Sequence, residues 1–267
     1  MSRGDLDALC AIAQDAGEAI RRIYAHEFQV DYKSPGDPVT DADRSANQLI
    51  CERLLARFPD AAIVAEESPE DAYLGYRSAE RVFFVDPLDG TREFVARNGQ
   101  FVVMIGLLVE HTLTLGAVYA PATGTLWYGG RGLGAYRRDS DGSERAIQVG
   151  DVAQPSAARI TISRSRRSEP LNEALRRIAP REVTPMGSAG LKGAQVAEAA
   201  ADAYLAIGAA GKHWDSCAME ALVSAAGGCV SDARGKPLDY RAESMEIEHG
   251  LLVANPLLHR ALLERII

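Results

Sequence analysis

The stretch VDPLDGTREF, residues 85–94, begins at the end of an apolar run, which is followed by two aspartates, Asp86 and Asp89. Only Pro87 and Leu88 separate the two acids along the chain. Carboxylates this close repel each other unless positive charge lies between them. The stretch therefore raises the question of which positive group they share.

Two interpretations of DPLDG follow from its residue types. A turn that starts with aspartate, has proline second and ends in glycine gives the same pattern in many loops. A functional site is favoured by Thr91 beside Gly90, because a hydroxyl there could pass a water proton toward a carboxylate. The glycine would also let the backbone approach a phosphate.

Upstream of this stretch, the chain has helical patterns. Apolar residues recur at the helical period from Leu6 to Ile23, and Asp5 is placed to cap that helix. Prolines and a glycine predict a loop over residues 32–40, and a second helix opens at Asp41. The run AAIVAEES then predicts a buried strand that ends in Glu66 and Glu67.

Downstream, residues 101–130 predict a meander of long strands, with turns near residues 110–111 and 122–124. The segment DSDGS, residues 139–143, is typical of an exposed turn. From about Ser156 strand and helix patterns alternate, which predicts a layered α/β arrangement.

We therefore predict one compact unit of two halves. Residues 1–155 form an α+β half that carries the acids of the site, and residues 156–267 form an α/β half.

Composition excludes several classes of protein. The chain has 267 residues, 47% hydrophobic and 25% charged, which is typical of a globular fold. A net charge of -8 argues against a nucleic-acid binder, and no apolar run predicts a signal peptide or a membrane span. A cytoplasmic location is the resulting expectation. The four cysteines lack a C-x-x-C pair, which favours small packed side chains over disulfides or zinc.

Acidic residues lie at the ends of several predicted elements. Hard divalent cations such as Mg²⁺ take oxygen ligands, so acids that converge from separate strand ends predict a Mg²⁺ site. The acids in question are Asp43 in the first turn of the second helix, Glu66, Glu67, Asp86, Asp89 and Asp215, which follows the residues KHW.

The segments AEES, DPLDGTREF and HWDS resemble the signature of the lithium-sensitive, Mg²⁺-dependent phosphatases of the inositol monophosphatase family. The resemblance runs from KSPGDPVTDAD to GKPLDY and implies an αβαβα sandwich of alternating helix and sheet layers, with the site between the two halves. It places the metal ligands at Glu66, Asp86, the Leu88 carbonyl, Asp89 and Asp215.

By the same resemblance, Asp43 and Thr91 activate the attacking water. Two roles stay open for Glu67, contact with a metal through water and support of the metal ligands, and we expect the second. Two Mg²⁺ ions are implied, and the family suggests a weaker third one. The shared positive charge would explain how Asp86 and Asp89 can lie together. Trp214 is expected to be a packing aromatic and His213 a surface residue.

The resemblance implies a small phosphate ester as the substrate, and the segments TREF and GSAGLKGAQ resemble the 3′(2′),5′-bisphosphate nucleotidase branch of the family. This implies removal of the 3′-phosphate of adenosine 3′,5′-bisphosphate, a by-product of sulfate assimilation. Arg166 and Lys192 would offer positive charge to the phosphate that is not cleaved. The residues implied in substrate binding are Gly90, Ser163, Arg164, Arg166, Ser188, Gly190 and Lys192.

Other functions stay open at this point. An inositol monophosphatase or a relaxed sugar phosphatase would use the same metal site. A non-catalytic metal or nucleotide binding module is an alternative of a different class, although every key acid and Thr91 are present. A basic surface turn at residues 163–167 and a helix-surface Lys192 are the structural alternatives for the substrate residues. Homodimers occur among such enzymes, and the sequence shows no interface.

Overall fold

Two β-sheets and a set of helices account for most of the computed structural model, which describes residues 1–266. Ile267, the last residue of the predicted second half, lies outside the described part. The helices are α1 Arg3–Tyr24, α2 Asp41–Arg57, α3 Thr91–Val95, α4 Glu169–Ile178, α5 Ala189–Ala197, α6 Cys217–Ala225 and α7 Pro256–Ile266.

Most of the strands belong to the predicted first half. Its strands are β1 Val30–Ser34, β2 Asp37–Thr40, β3 Ala62–Ala65, β4 Arg81–Asp89, β5 Val102–Val109, β6 Thr112–Ala120, β7 Thr125–Gly130, β8 Gly134–Arg138 and β9 Glu144–Ala146. The second half contains β10 Arg159–Ser163, β11 Glu182–Met186, β12 Ala203–Ala206, β13 Cys229–Ser231 and β14 Leu251–Ala254.

The large sheet confirms the predicted meander. Its order β3-β4-β5-β6-β7-β8-β9 follows the chain, because β4 connects to β5 through α3 and hairpin turns join the strands from β5 onward. Strands β3 and β4 run parallel and the later pairs are antiparallel. The turns fall at Glu110–His111 and at residues 121–124, and the segment 139–143 is the turn between β8 and β9.

The small sheet has the order β11-β10-β12-β14-β13. Strand β10 pairs in parallel with β11 and β12, and β14 runs antiparallel to β12 and β13. The parallel pairs are joined through α4 and α5, as crossover connections require. The predicted alternation of strand and helix is confirmed, although β11, β14 and α7 had not been predicted.

Three of the four hydrophobic clusters within residues 1–266 lie between the layers described here. Helices α1 and α2 pack on one face of the large sheet, as in the contact cluster that joins Leu9 and Ile50 to Phe83. The opposite face, with Met104, packs against α5 and α6, which also cover one face of the small sheet. Helices α4 and α7 cover the outer face of the small sheet. This stacking is the αβαβα sandwich. Among residues 1–266, no helix is both long and apolar enough to cross a bilayer.

Two local predictions were wrong. The segment predicted as a loop is the β1–β2 hairpin, since Pro38 lies in a two-stranded ribbon where a missing N–H is tolerated. Helix α1 is capped by Ser2, whose hydroxyl accepts from the Asp5 N–H, while Asp5 accepts from the Ser2 N–H. Asp5 therefore completes a capping box from inside the first turn.

Close approach of α6 to the large sheet fixes the start of that helix. A Cβ atom on Gly116 would lie 2.2 Å from the carbonyl oxygen of Ala218, and one on Gly106 would lie 2.5 Å from the Ala218 nitrogen. Only glycine fits at such distances. The short 3-10 helix His213–Asp215, which precedes α6, is thereby held over β4.

Candidate active site

A bulge in β4 brings Asp86 and Asp89 to the same side. Residues three apart on a regular strand face opposite sides of the sheet. Asp86 pairs with Met104 of β5 whereas Asp89 pairs with Val102, so β4 carries one extra residue. That extra residue reverses the alternation, which puts both carboxylates into one cleft. The Leu88 N–H donates to Oδ1 of Asp86 over 2.9 Å within the bulge.

A third carboxylate comes from the 3-10 helix that precedes α6. Oxygen atoms of Asp86, Asp89 and Asp215 lie within 4.8 Å of one another. Asp215 ends the 3-10 helix rather than opening α6 itself, and its Oδ2 accepts from the Lys212 N–H over 2.5 Å. The structure thus brings together three of the acids that the sequence singled out.

The charge of this cluster is not balanced within residues 1–266. The cluster acids accept hydrogen bonds only from backbone N–H groups and the Ser188 hydroxyl. Burial, reinforced by the neighbouring acids, raises the pKa of Asp86 well above its usual range and that of Asp215 to about 7. A metal ion bound here would remove this repulsion, and the oxygen donor set suits a hard cation.

Glu66 lines the same cleft but is already paired with a cation. Lys33, on the β1–β2 hairpin, donates to Oε1 of Glu66 over 2.9 Å and also to Oε1 of Glu67. Burial raises the pKa of Glu67 to about 7. Lys33 had not been predicted, because the hairpin that carries it was interpreted as a loop.

Asp43 reaches the cleft through Thr91. Its Oδ1 accepts from the Thr91 hydroxyl over 2.9 Å, and its Oδ2 accepts from the N–H and hydroxyl of Thr40 over 2.7 and 2.6 Å. Thr40 is the N-cap of α2, so the cap also fixes the acid. Burial raises the pKa of Asp43. Thr91 lines the cleft, and its hydroxyl also lies 3.2 Å from the Leu88 carbonyl oxygen.

The start of α5 holds Asp89 from the opposite side of the cleft. The Ser188 hydroxyl and the Gly190 N–H donate to Oδ2 of Asp89 over 2.6 and 2.7 Å. Ser188 also caps α5 by accepting from the Leu191 N–H over 3.0 Å. Its φ of 60° is rare for a residue with a side chain. Ser188 and Gly190 therefore contact a cluster acid directly.

Lys192 is a buried residue of the cleft, not a surface lysine of the helix. Its side chain is on α5, and the residue is only 3% exposed. The ammonium donates to the carbonyls of Ser188 and Met186 over 2.5 and 3.4 Å. Burial lowers its pKa to about 8. Near neutral pH the Lys192 ammonium therefore still carries its positive charge for most of the time, and it lies at the edge of the acid cluster.

The segment after β10 divides its two arginines. Arg166 and Ser163 line the cleft, and the Arg166 guanidinium has no hydrogen-bond partner within residues 1–266. Arg164 points elsewhere, because it donates to Glu93 and Gln100 over 2.8 Å each. These two hydrogen bonds support the wall of the cleft, and the implied contact between Arg164 and the substrate stays a prediction.

Further residues line the cleft around the acid cluster. The cleft encloses about 160 Å³. Residues that sequence reasoning did not find include Asp37 and Pro38 from the hairpin, Gly187 and Ala189 before and in α5, and Tyr204, Ala206, Ile207, Ala209 and Ala210 on and after β12. Gly90 lines it as predicted. Small apolar residues give no chemical signal in a sequence, since they are equally common in cores.

His213 is buried, contrary to the prediction of a surface residue. It is 4% exposed, and its ring packs against those of Phe84 and Tyr240 with centroids 6.1 and 5.1 Å apart. Burial lowers its pKa to about 4, so it is neutral. Trp214 is buried as expected. Both aromatic residues support the turn that carries Asp215.

The arrangement of acids, Thr91 and the layered fold agrees with a match to known sequences. The model of the inositol monophosphatase family matches residues 4–267. The chain belongs to the inositol monophosphatase family. The sequence resemblance to this family is thereby confirmed, and so is the fold that it implied.

Relatives in the inositol monophosphatase family include two named bacterial enzymes. The 3′(2′),5′-bisphosphate nucleotidase CysQ of Escherichia coli (strain K12) is 36% identical over 93% of this chain and 99% of its own length. The CysQ protein of Aggregatibacter actinomycetemcomitans is 34% identical over 88% and 87%, respectively. The crystal structure of extragenic suppressor protein suhB from Bartonella henselae superposes with a TM-score of 0.85 at 26% identity, covering 98% of both chains.

Proposed function

We propose that this member of the inositol monophosphatase family is a Mg²⁺-dependent phosphomonoester hydrolase. Its substrate is adenosine 3′,5′-bisphosphate, from which it removes the 3′-phosphate to give AMP and phosphate. The observation that carries the reaction class is the convergence of Asp86, Asp89 and Asp215 within 4.8 Å beside the Asp43–Thr91 pair. The substrate rests on the likeness to the CysQ nucleotidases at 34–36% identity.

The residues present suit Mg²⁺. The ligands would be Glu66, Asp86, the Leu88 carbonyl, Asp89 and Asp215, all of which line the cleft. Two ions fit the family resemblance, with a third of lower affinity. Bound Mg²⁺ would neutralise the phosphate charge and acidify the attacking water. Burial and, to a smaller extent, repulsion between the acids raise the pKa of Asp86 and Asp215, and metal binding would relieve that repulsion.

The chain's own proton acceptor is Asp43, acting through Thr91. The Thr91 hydroxyl donates to Oδ1 of Asp43, so its oxygen lone pairs are free to accept a hydrogen bond from water in the cleft. Proton transfer along this pair leaves the proton on a carboxyl whose pKa burial has already raised. Thr40 fixes the other carboxylate oxygen and so orients the acceptor.

Positive groups on the second half would hold the phosphate that is not cleaved. Arg166 has a free guanidinium at the cleft, and Lys192 lies beside Asp89. Ser163 contributes to the same wall and accepts from the Arg166 N–H over 3.2 Å. Two cationic groups on one side of an acidic cleft suit a substrate with a second phosphate.

The experiment compares Mg²⁺-dependent phosphate release from adenosine 3′,5′-bisphosphate, inositol 1-phosphate and fructose 1,6-bisphosphate under identical conditions. The proposal predicts the highest kcat/KM for the nucleotide. A clear preference for either other ester would reject the substrate and keep the reaction. No release from any of them with Mg²⁺ present would instead favour a binding module that has kept the fold.

An inositol monophosphatase is the second candidate. It is favoured by the structure of inositol monophosphatase from Anabaena (Nostoc) sp. PCC 7120, which matches at 28% identity and a TM-score of 0.80 over 99% of this chain. The wall formed by Ala206, Ile207, Ala209 and Ala210 argues against it, because an apolar wall offers no side-chain partner to the hydroxyls of a polyol.

The proposal includes four further properties that the resemblance implies. They are inhibition by lithium, a cytoplasmic location, a homodimeric state and a role in clearing a by-product of sulfate assimilation. Lithium arms in the release assay and light scattering of the purified protein measure the first and third of these directly.

A further inference from the structure

Tyr204 places an unused hydroxyl in the cleft. The residue lies on β12, is 3% exposed and lines the same cavity as the acid cluster. Its hydroxyl has no hydrogen-bond partner within residues 1–266. Buried tyrosines usually satisfy their hydroxyl with a protein partner, so a free one in a cleft points to a ligand.

The surroundings of this hydroxyl define what it can bind. The ammonium of Lys192 lies 4.9 Å from the centre of the Tyr204 ring. Burial raises the pKa of the phenol, and it senses Asp89, Arg166 and Asp215 electrostatically, with Arg166 opposing the two acids. The hydroxyl therefore stays protonated at neutral pH, and Tyr204 lines the same cleft as the acids and the free arginine. A neutral donor in that position suits an anionic oxygen.

Lys192 cannot complete a phosphate site alone. Two of its three N–H groups are directed at the carbonyls of Ser188 and Met186. Arg166 supplies a second donor group from an exposed loop. A phosphate has three outer oxygens, so a further donor from a rigid element would fix its position. Tyr204 is on the central strand of the small sheet, which is such an element.

We infer that Tyr204 is a specificity-determining residue, whose hydroxyl donates a hydrogen bond to the uncleaved phosphate beside Arg166 and Lys192. The inference rests on the proposed function, because it assumes a substrate with two phosphates. A purely structural tyrosine would need only its ring, which covers Lys192. Removal of the oxygen alone separates the two roles.

The test is the affinity of the Mg²⁺-loaded protein for AMP and for adenosine, measured by calorimetry. AMP carries the phosphate that is not cleaved, whereas adenosine lacks it. Tyr204→Phe is expected to weaken AMP binding by about 10-fold or more, the effect of losing one hydrogen bond to a charged group. Adenosine binding and the thermal midpoint should stay near those of the wild type. The control is Tyr119→Phe, a buried tyrosine of the large sheet.

Each of three other results would overturn the inference about Tyr204. Wild-type protein that binds AMP no more tightly than adenosine has no site for the second phosphate. Equal AMP affinity in Tyr204→Phe and wild type removes the hydroxyl from the site. Equal weakening for AMP and adenosine assigns the effect to packing. The proposed function is tested separately, because it fails if the protein does not hydrolyse the bisphosphate. The comparison of AMP binding can still be interpreted in that case.

Discussion

Replacement of Asp215 by asparagine should stabilise the metal-free protein. Asp215 shares the cleft with Asp86 and Asp89, and burial together with the neighbouring acids raises its pKa to about 7. An acid whose pKa is higher in the folded state than in the unfolded chain destabilises the fold when ionised. Asparagine keeps the volume and the oxygen that accepts from Lys212, while it removes the charge.

The size and sign of the effect follow from linkage. A pKa raised from 3.8 to about 7 corresponds to about 4 kcal/mol of lost stability once both states are ionised. This loss of stability is absent below pH 3.8, grows between the unfolded and folded pKa values of Asp215, and is complete above about pH 7. Asp215→Asn should therefore gain up to about 4 kcal/mol at pH 8 and little at pH 4.

The assay is urea denaturation in EDTA at pH 4 and pH 8, repeated with Mg²⁺ at pH 8. Mg²⁺ at 100 times its dissociation constant should stabilise the wild type by about 2.7 kcal/mol, and the variant by much less. Asp71→Asn, an exposed position, is the control for loss of one negative charge.

Two results would refute the reasoning. A metal-free Asp215→Asn variant no more stable than wild type at pH 8 would show that ionised Asp215 does not destabilise the fold. An equal gain from Mg²⁺ in both proteins would place the metal elsewhere.

Three further predictions concern activity. Asp89→Asn should fold but lose most Mg²⁺-dependent phosphate release, because it removes the charge of a metal ligand. The control is Asp7→Asn at an exposed position, which should keep its activity. Near wild-type turnover of Asp89→Asn would reject the metal assignment. Thr91→Val should lower kcat roughly 100-fold or more, while Thr91→Ser keeps most of it; the idea fails if both variants behave alike. Lys192→Ala should raise KM for the bisphosphate far more than for a monophosphate, with Lys236→Ala as control, and equal increases would remove Lys192 from the second-phosphate site.

The sequence was informative where chemistry depends on residue type and local spacing. Acids at the ends of several predicted elements, including Asp86 and Asp89, were enough to predict a metal site. The alternation of apolar residues was enough to predict the meander and the layered second half. These features depend on neighbours along the chain, which a sequence shows directly.

The rest depended on contacts between distant segments. The bulge that aligns Asp86 with Asp89 is a property of pairing with β5, and the letters DPLDG are equally compatible with a simple turn. Lys33 reaches Glu66 only because the hairpin folds over the end of β3. Likewise, Arg164 and Arg166 are two residues apart, yet only the structure shows that one is paired and the other free.

The identity of the product tests the central claim most directly. Purified protein would be incubated with adenosine 3′,5′-bisphosphate and Mg²⁺, and the products separated by chromatography, with EDTA in a parallel sample. The account predicts AMP and phosphate in equal amounts, and neither in EDTA. Formation of adenosine 3′-phosphate, or release that is unaffected by EDTA, would contradict it.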